Sequence, residues 1–213
     1  MKIKYSASVE NGFNDVELIH DGCEMPVFWE RFIQANAGGI AYIDLSRFNS
    51  LDDYIQKAFN ATSRNLYRRA LRAGVCAREI MMDERNQRLD ELYEINTSAS
   101  VRQNKPMSEG YLKRPEPMSE PVQCPNHYTK WLGVFDGNGK WVGYHVGYYC
   151  GNFSATSSIL GHSGYLNQNV MLVLWAEFIR QCMNNGIRYA SYYLMNSGTE
   201  GLKHWKRSVG LHD

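Results

Sequence analysis

The chain has 213 residues, of which 44% are hydrophobic and 13% aromatic, enough apolar material to bury a real core and to exclude wholesale disorder. Its formal net charge of +1 argues against a generic polyanion binder, although charge can still be clustered locally. With no signal peptide and no apolar run of ~18 residues, we expect a soluble, cytoplasmic globular protein without a membrane segment. Its five cysteines are scattered without a CxxC pair, as is typical of reduced thiols: Cys23, Cys76, Cys124, Cys150 and Cys182.

Hydrophobic periodicity divides the first half of the chain into helices and strands. Ser50 is a suitable N-cap, because Asp52 and Asp53 follow it in the first helical turn. Glycines at positions 38 and 74 indicate where two helices end. The predicted elements are helix 25–36, strand 40–45, helix 50–59, helix 63–74, strand 75–82 and a long helix 83–105 that frays near Ser98.

Residues 106–130 contain five of the six prolines and little periodicity, which predicts a loop or a hinge between two halves. Long ordered loops in compact domains often face a substrate. The composition does not decide between that role and a plain connection.

The second half predicts three antiparallel strands over 131–161, with a hairpin turn from Asp136 to Gly139 (DGNG) and a weaker turn at Gly151. Helix 167–186, strand 187–195, a small-residue loop 196–198 and a short amphipathic helix follow. We predict an α/β (α+β) fold with a mixed, mostly antiparallel central sheet flanked by helices. The whole chain, 1–213, forms one domain in this prediction, divided into an N-terminal half 1–105, the loop 106–130 and a C-terminal core 131–213.

Three segments carry a resemblance to a known fold family. Segment 64–80 (RNLYRRALRAGVCAREI) joins a basic helix to a strand through glycine, and segment 89–112 contains a helix followed by Arg-Gln-x-x-x-Met and an aromatic residue. Segment 172–211 has a G-x-R-Y strand and then E-G-L-x-x-[FW]-K-x-x-x-G. In this order the elements resemble GNAT acyltransferases, most closely the FemA/FemX-like branch. The resemblance implies an enzyme that transfers an acyl or aminoacyl group to an amine by direct attack.

The resemblance leaves the donor open between acyl-CoA and aminoacyl-tRNA. CoA-using GNAT proteins cradle the pyrophosphate with Q/R-x-x-G-x-G/A before the long helix. Segment 161–171 (GHSGYLNQNVM) keeps two glycines without that spacing, and FemA/FemX-like proteins, which use aminoacyl-tRNA, lack the motif too. The candidate donor-binding residues are His162, Ser163, Gly164, Asn167 and Asn196.

Lys206 matches the lysine of the family's closing motif, where the resemblance implies a cation beside the developing oxyanion. The residue pattern agrees, because Lys203, Lys206 and Arg207 share one face of the terminal helix, next to a strand–loop edge. The alternative is a structural role, with Lys206 lying along the sheet or stabilising the end of its own helix.

His145 is the candidate base. On an alternating strand it shares a face with Gly143, Gly147 and Tyr149, and the glycines would leave a trough for a ligand. A neutral imidazole suits proton removal from an ammonium group, whereas the plain alternative is a hydrogen-bonded histidine on a semi-exposed sheet face. Tyr149 and Glu200 are further catalytic candidates. Glu200 can orient a substrate ammonium, and the alternative is that it caps the last helix.

Positive charge is clustered around one helix, where Arg68, Arg69 and Arg72 can hold tRNA, DNA or another phosphorylated substrate. A solvated helix face explains such a run equally well. Arg102 and Gln103, in the second motif, are candidates for the acceptor site. We predict no metal, because Cys124 and His127 form only a lone pair.

Three functions therefore stand side by side at this point. The first is an acyl or aminoacyl transferase acting on an amine-bearing acceptor. The second is a phage-type enzyme of the same fold that modifies a DNA base, and the third is a catalytically silent module that binds nucleic acid or a protein partner.

Overall fold

The computed structural model of the protein describes residues 39–120 and 127–212, and the backbone of residues 2–5 and 16–19. The strands are Lys2–Tyr5 (β1), Val16–Ile19 (β2), Ile40–Asp44 (β3), Cys76–Ile80 (β4), Val101–Arg102 (β5), Lys105–Pro106 (β6), His127–Phe135 (β7), Trp141–Cys150 (β8), Phe153–Gly161 (β9) and Tyr189–Leu194 (β10). Six of them form the central sheet, in the order β3-β10-β9-β8-β7-β4. All neighbours in it are antiparallel except β9 and β10. Both predicted halves of the chain contribute strands to this sheet.

Three helices, α1, α2 and α7 as defined below, begin where a side chain accepts from one of their first backbone N–H groups. Ser50 Oγ accepts from Asp53 N at 3.1 Å, and Asn60 Oδ1 accepts from Ser63 N at 2.8 Å. The helices are Leu51–Ala58 (α1), Ala61–Arg72 (α2), Met82–Gln87 (α3), Leu89–Thr97 (α4), Glu109–Leu112 (α5), Val170–Asn184 (α6) and Glu200–Ser208 (α7), with 3₁₀ helices at Leu45–Arg47 and Ser163–Gln168.

The sheet is covered on both faces. Helix α6 lies across one face and is apolar on nearly all sides because α1 and α2 pack on it from outside. Trp175 and Phe178 of α6 are fully buried there. On the opposite face, Leu92 and Ile95 of α4 pack against Trp141 of β8. The predicted mixed, mostly antiparallel sheet flanked by helices is confirmed.

The predicted helix 83–105 is wrong in two places. It breaks at Arg88, whose φ of −113° and ψ of 33° are not helical and whose guanidinium pairs with Glu84 and Glu91. It also ends at Thr97, close to the predicted fraying at Ser98, and the chain then forms the hairpin of β5 and β6. The two turn residues of that hairpin, Gln103 and Asn104, have positive φ, which no helix accommodates.

Two other boundaries differ from the prediction. Strand β7 begins at His127 instead of residue 131, so the irregular stretch is shorter than 106–130. Helix α6 begins at Val170, after the 3₁₀ helix, because Asn169 takes a left-handed conformation. The predicted helix 25–36, Cys23 and Cys124 lie outside the described residues.

None of the helices in the described ranges has the length and apolarity that a bilayer span requires. Across the same ranges, the structure brings together no group of three or more His, Cys, Asp and Glu side chains that could hold a metal ion.

Candidate active site

Strands β9 and β10 diverge in the middle of the sheet. They pair in parallel only from Phe153 to Ala155, opposite Tyr189 to Ser191. Beyond that point β9 continues along β8 as far as Gly161, whereas β10 follows β3. The pairing of β10 with β3 is irregular between Ser191 and Leu194, where β10 turns away from β9. Tyr193, in this stretch, has a φ of 50°. The far half of β9 therefore has no strand on its β10 side, and a wedge-shaped opening results.

A cleft of about 540 Å³ fills this opening, a volume typical of small-ligand sites. One wall is the end of β9, from Ile159 to Gly161, and the other is formed by Tyr192 of β10 and Trp205 of α7. The rim and floor are Ala99, Val101, Arg102, Gln103, Ser163, Leu166, Met171, Thr199, Gly201 and Leu202.

Arg102 and Gln103 join the two walls of the cleft. Arg102 Nη1 donates to Gly161 O at 2.8 Å, and its Nη2 donates to Ser98 Oγ at 2.8 Å and Ile95 O at 3.2 Å. Gln103 Oε1 accepts from both Thr199 N at 3.1 Å and Thr199 Oγ1 at 2.7 Å, at the start of α7. Burial lowers the pKa of Arg102, which nevertheless stays charged. The predicted substrate-binding pair thus lines the cleft.

The predicted donor-binding segment is folded on itself. Ser163 N donates to Ser98 Oγ, Gly164 N to His162 Nδ1 at 3.1 Å, and Tyr165 N to His162 O. Asn167 and Asn196 are exposed and do not line the cleft. Of the five candidates only Ser163 reaches the cleft, and its backbone N–H is already used.

Lys206 is fully buried, which contradicts the prediction of a cation exposed in the pocket. Its Nζ donates to Leu194 O at 2.5 Å, Ser197 Oγ at 3.1 Å and Ser197 O at 3.3 Å, and so ties α7 to the loop after β10. It also lies 5.0 Å from the ring centre of Tyr192, behind the cleft wall. Burial, and then Lys203, lower the pKa of Lys206 to about 8.

His145 does not face an open trough, and that prediction is wrong. Its ring is fully buried against Phe178 of α6, with 4.2 Å between ring centres, and Nε2 lies 3.0 Å from Thr156 Oγ1. Burial lowers its pKa to about 3. The glycine trough exists, but α6 fills it: a Cβ on Gly147 would lie 3.3 Å from the Phe178 ring.

Tyr149 and Glu200 are not at the cleft either. Tyr149 is buried and stacks on Tyr128, with 4.8 Å between ring centres. Glu200 is exposed in the first turn of α7, where its hydrogen bond to Lys203 Nζ lowers its pKa. Glu200 does not cap the helix, contrary to the sequence alternative, because the N-cap is Thr199, whose Oγ1 accepts from Leu202 N.

Arg68, Arg69 and Arg72 are exposed near the end of α2 and, within the described part of the chain, make no ion pair or side-chain hydrogen bond. Neighbouring Arg64 instead donates to Gln56 O and Phe59 O at the end of α1. The three free arginines do not line the cleft. They form a separate basic surface.

No protein-family model matches the sequence, and neither does any curated protein. Among solved structures, the fold is similar to that of FemX, with a TM-score of 0.60 and 9% identity over 81% of this chain and 58% of the FemX chain. The fold is GNAT-like and related to that of FemX.

Two further structures are similar. The C-terminal domain of a putative lysylphosphatidylglycerol synthetase from Agrobacterium fabrum has a TM-score of 0.51 and 12% identity, over 87% of this chain and 56% of that one. L-PGS from Bacillus licheniformis has a TM-score of 0.52 and 15% identity, over 77% and 48%. The chain therefore spans about half the length of these proteins, and at such identities the likeness concerns the fold alone.

Four amides of the loop before α6 are not free to bind the pyrophosphate of CoA. The amides of Ser163, Gly164 and Tyr165 donate to Ser98 and His162, as described above. The amide of Asn169 donates to Leu166 O. Side chains occupy the space beside Gly161, since a Cβ placed on this residue would lie 2.6 Å from Met171 Sδ and 2.9 Å from Leu166 Cδ2. Protein side chains thus fill the space beside the first turn of α6.

The sequence did not single out several cleft residues, among them Tyr192 as a wall and Thr199 as the partner of Gln103. Thr199 precedes Glu200 in a helix-start pattern, and that signal could have placed it at the cleft edge. Nothing in the sequence pattern indicates Ile159, because only the divergence of β9 and β10 exposes it.

Proposed function

We propose that the protein transfers an aminoacyl group from aminoacyl-tRNA to an amine within the cleft between β9 and β10. The end of the β9–β10 ladder at Ala155 is the observation that carries this proposal. Beyond Ala155 no strand of the described residues pairs with this side of β9, where Gly161 O accepts from Arg102 and a cavity of about 540 Å³ lies alongside. Unpaired strand edges bind extended acyl or peptide-like groups through main-chain hydrogen bonds.

An aminoacyl-tRNA donor is favoured over acyl-CoA by two features. The amides of Ser163, Gly164 and Tyr165 are already hydrogen-bonded, and the side chains of Leu166 and Met171 lie beside Gly161. The exposed cations Arg68, Arg69 and Arg72 offer a surface for a polyphosphate backbone outside the cleft.

In the proposed reaction, the amine nitrogen attacks the ester carbonyl carbon of the donor. The C–N bond forms, the C–O bond to the ribose breaks, and the amine proton ends on the departing ribose oxygen. N–H groups on the open edge of β9 stabilise the oxyanion. Arg102 fixes the end of β9 through Gly161 O, and Lys206 fixes the opposite wall through Leu194 O, so both act as positioning residues.

Ala99→Trp tests the site, because Ala99 lines the cleft and a large side chain there obstructs it. Asn184→Trp is the matched control, on the exposed last turn of α6. We expect purified wild type and the control to transfer labelled amino acid from a mixed aminoacyl-tRNA pool to a panel of amines, and Ala99→Trp to lose at least ~10-fold in rate. Equal rates in both variants would refute the site, and turnover with acetyl-CoA but with no charged tRNA would refute the donor.

A further inference from the structure

A second cavity lies on the other face of β9, beneath α3, α4 and α5. It encloses about 650 Å³, within the range of sites that bind small molecules. Tyr111, Tyr144 and Ser158 place hydroxyl groups in its wall, among largely apolar surroundings. The apolar part is formed by Met82, Leu92, Pro115, Met118, Trp131 and Val146.

One buried cation lines this cavity. Arg85 is only 4% exposed, and its guanidinium lies 5.3 Å from the ring centre of Trp131. Its Nη1 donates to Glu116 O at 2.6 Å and to Asn86 Oδ1 at 2.9 Å. Nε is buried without a partner, and among the described residues neither Nη2 nor any other atom of Arg85 contacts a carboxylate.

A buried arginine without a counter-ion is unfavourable for folding, since an unpaired charge loses its hydration without compensation. The unused groups of Arg85 are its Nε and Nη2, which form one edge of the planar guanidinium. Two parallel N–H donors on such an edge match the two oxygens of a carboxylate. The other surroundings, a tryptophan and apolar side chains, suit the carbon body of an organic molecule.

The cavity adjoins the proposed transfer cleft through β9. Ser158 faces the Arg85 cavity, and the next residue, Ile159, faces the cleft. The Tyr111 hydroxyl lies 3.4 Å from Ser158 Oγ, at this junction. Burial and, secondarily, Tyr111 raise the pKa of Tyr192 to about 12. Tyr192 lines the cleft and Tyr111 lines the cavity, so this influence agrees with their closeness. An acceptor that extends from Arg85, which lies against Trp131 of β7, across β8 to Ser158 therefore has its far end beside the open edge of β9.

We propose that the Arg85 cavity binds the amine acceptor, and that this acceptor is an amino acid whose carboxylate pairs with the Nε–Nη2 edge of Arg85. The assignment rests on the proposed function, because only a transfer reaction in the neighbouring cleft makes the bound molecule an acceptor. Its amine attacks the donor carbonyl as described above, and the carboxylate stays bound to Arg85 without taking part in bond formation.

Binding is tested without any donor, so that the result is independent of transfer activity. The probes are the twenty L-amino acids, each at ~10 mM beside its carboxamide, with melting temperature as the readout. A ligand with a Kd of ~1 mM raises the melting temperature by ~4 °C. We expect at least one amino acid to do so, its carboxamide to have no effect, and Arg85→Gln to abolish the shift.

Arg88→Gln is the matched control, since Arg88 lies on the next turn of chain but pairs with Glu84 and Glu91 outside the cavity. If Arg85→Gln does not fold, Ser157→Phe replaces it: position 157 is exposed on β9 and lines the cavity, so phenylalanine blocks the space while Arg85 remains. The proposal is overturned if no amino acid shifts wild type, if the carboxamide acts equally, or if both variants retain the shift. A shift produced by inorganic phosphate alone overturns the carboxylate assignment. Carboxylate binding without any transfer would leave the anion site intact and refute the proposed function.

Discussion

Replacing Lys206 by methionine separates its structural role from a chemical one. The substitution keeps most of the buried volume but leaves Leu194 O and Ser197 O without the donor that now reaches them at 2.5 and 3.3 Å. Leu194 O keeps its hydrogen bonds from Ser197 N and Ser197 Oγ, and both residues are only partly buried, so the loss should cost ~0.5–1.5 kcal/mol. We therefore expect the free energy of unfolding, measured with urea at pH 7, to fall by that amount. An unchanged value would show that the Lys206 hydrogen bonds contribute nothing to the loop.

The pH dependence of the same variant gives a sharper test. Burial lowers the pKa of Lys206 from 10.5 to about 8, so above pH 8 the unfolded chain binds more protons than the folded one. Relative to Lys206→Met, wild type should therefore gain ~1.5 kcal/mol of stability between pH 8 and 9.5. Burial raises the pKa of Cys182, which lowers stability in this window, but it does so equally in both proteins. Tyrosines begin to ionise in the unfolded chain near pH 10 and reverse the trend, which sets the upper limit of the window.

The control for this comparison is Lys57→Met, because the Lys57 side chain is 57% exposed and forms only a surface pair with Asp53. The stability of wild type and of Lys57→Met, each measured relative to Lys206→Met, should increase by ~1.5 kcal/mol between pH 8 and 9.5. Parallel curves for wild type and Lys206→Met would refute the assignment of a depressed pKa to Lys206.

Three other predictions concern the cleft and the basic surface on α2. Gly161→Ala should lower the free energy of unfolding by no more than ~1 kcal/mol in urea denaturation, since its Cβ would meet only the ends of flexible side chains, Met171 Sδ at 2.6 Å and Leu166 Cδ2 at 2.9 Å. Gly201→Ala, whose Cβ meets nothing closer than 3.9 Å on an α7 position, should be neutral or slightly stabilising, and equal losses in the two would contradict the packing around Gly161. Arg102→Ala should slow transfer at least ~10-fold and destabilise the fold by ~1–3 kcal/mol, because Gly161 O loses its donor, and wild-type kinetics would exclude Arg102 from the site. Changing Arg68, Arg69 and Arg72 together to glutamine should weaken tRNA binding and reduce the slope of log K against log salt by ~2, as read by filter binding, and an unchanged slope would remove tRNA from that surface.

The sequence predicted the elements that carry strong periodicity or turn chemistry. The Ser50 cap and the apolar run of α6 lie close to where they were predicted, because local hydrogen bonding and amphipathicity determine them. The prediction of one helix over 83–105 was wrong. The break at Arg88 depends on ion pairs, and the end of the helix depends on the tertiary contacts of Arg102 and Gln103.

The site was harder to predict than the fold because strand alternation shows only which side chains share a face. His145 and Gly147 do share one, but α6 covers it, and the sequence of β8 contains nothing that reveals this. Arg85 was missed for the opposite reason. It stands in a charged helical segment that predicts an exposed face, whereas the turn at Glu116 folds over it and removes it from water.

The divergence of β9 and β10 explains why one strand borders both cavities. Strand β10 pairs with β9 through Ser191 and then continues along β3, where Leu194 pairs with Ile40. Lys206 holds Leu194 O on the far side of this irregularity. The lysine predicted as an oxyanion partner therefore anchors β10 where it turns away from β9. Removal of the Lys206 amine should let β10 move toward β9 and narrow the cleft. The Lys206→Met variant should therefore lose transfer activity, including at pH 9.5, where its stability is lowest relative to wild type. Retained activity there would show that the opening is maintained by the strand irregularity alone.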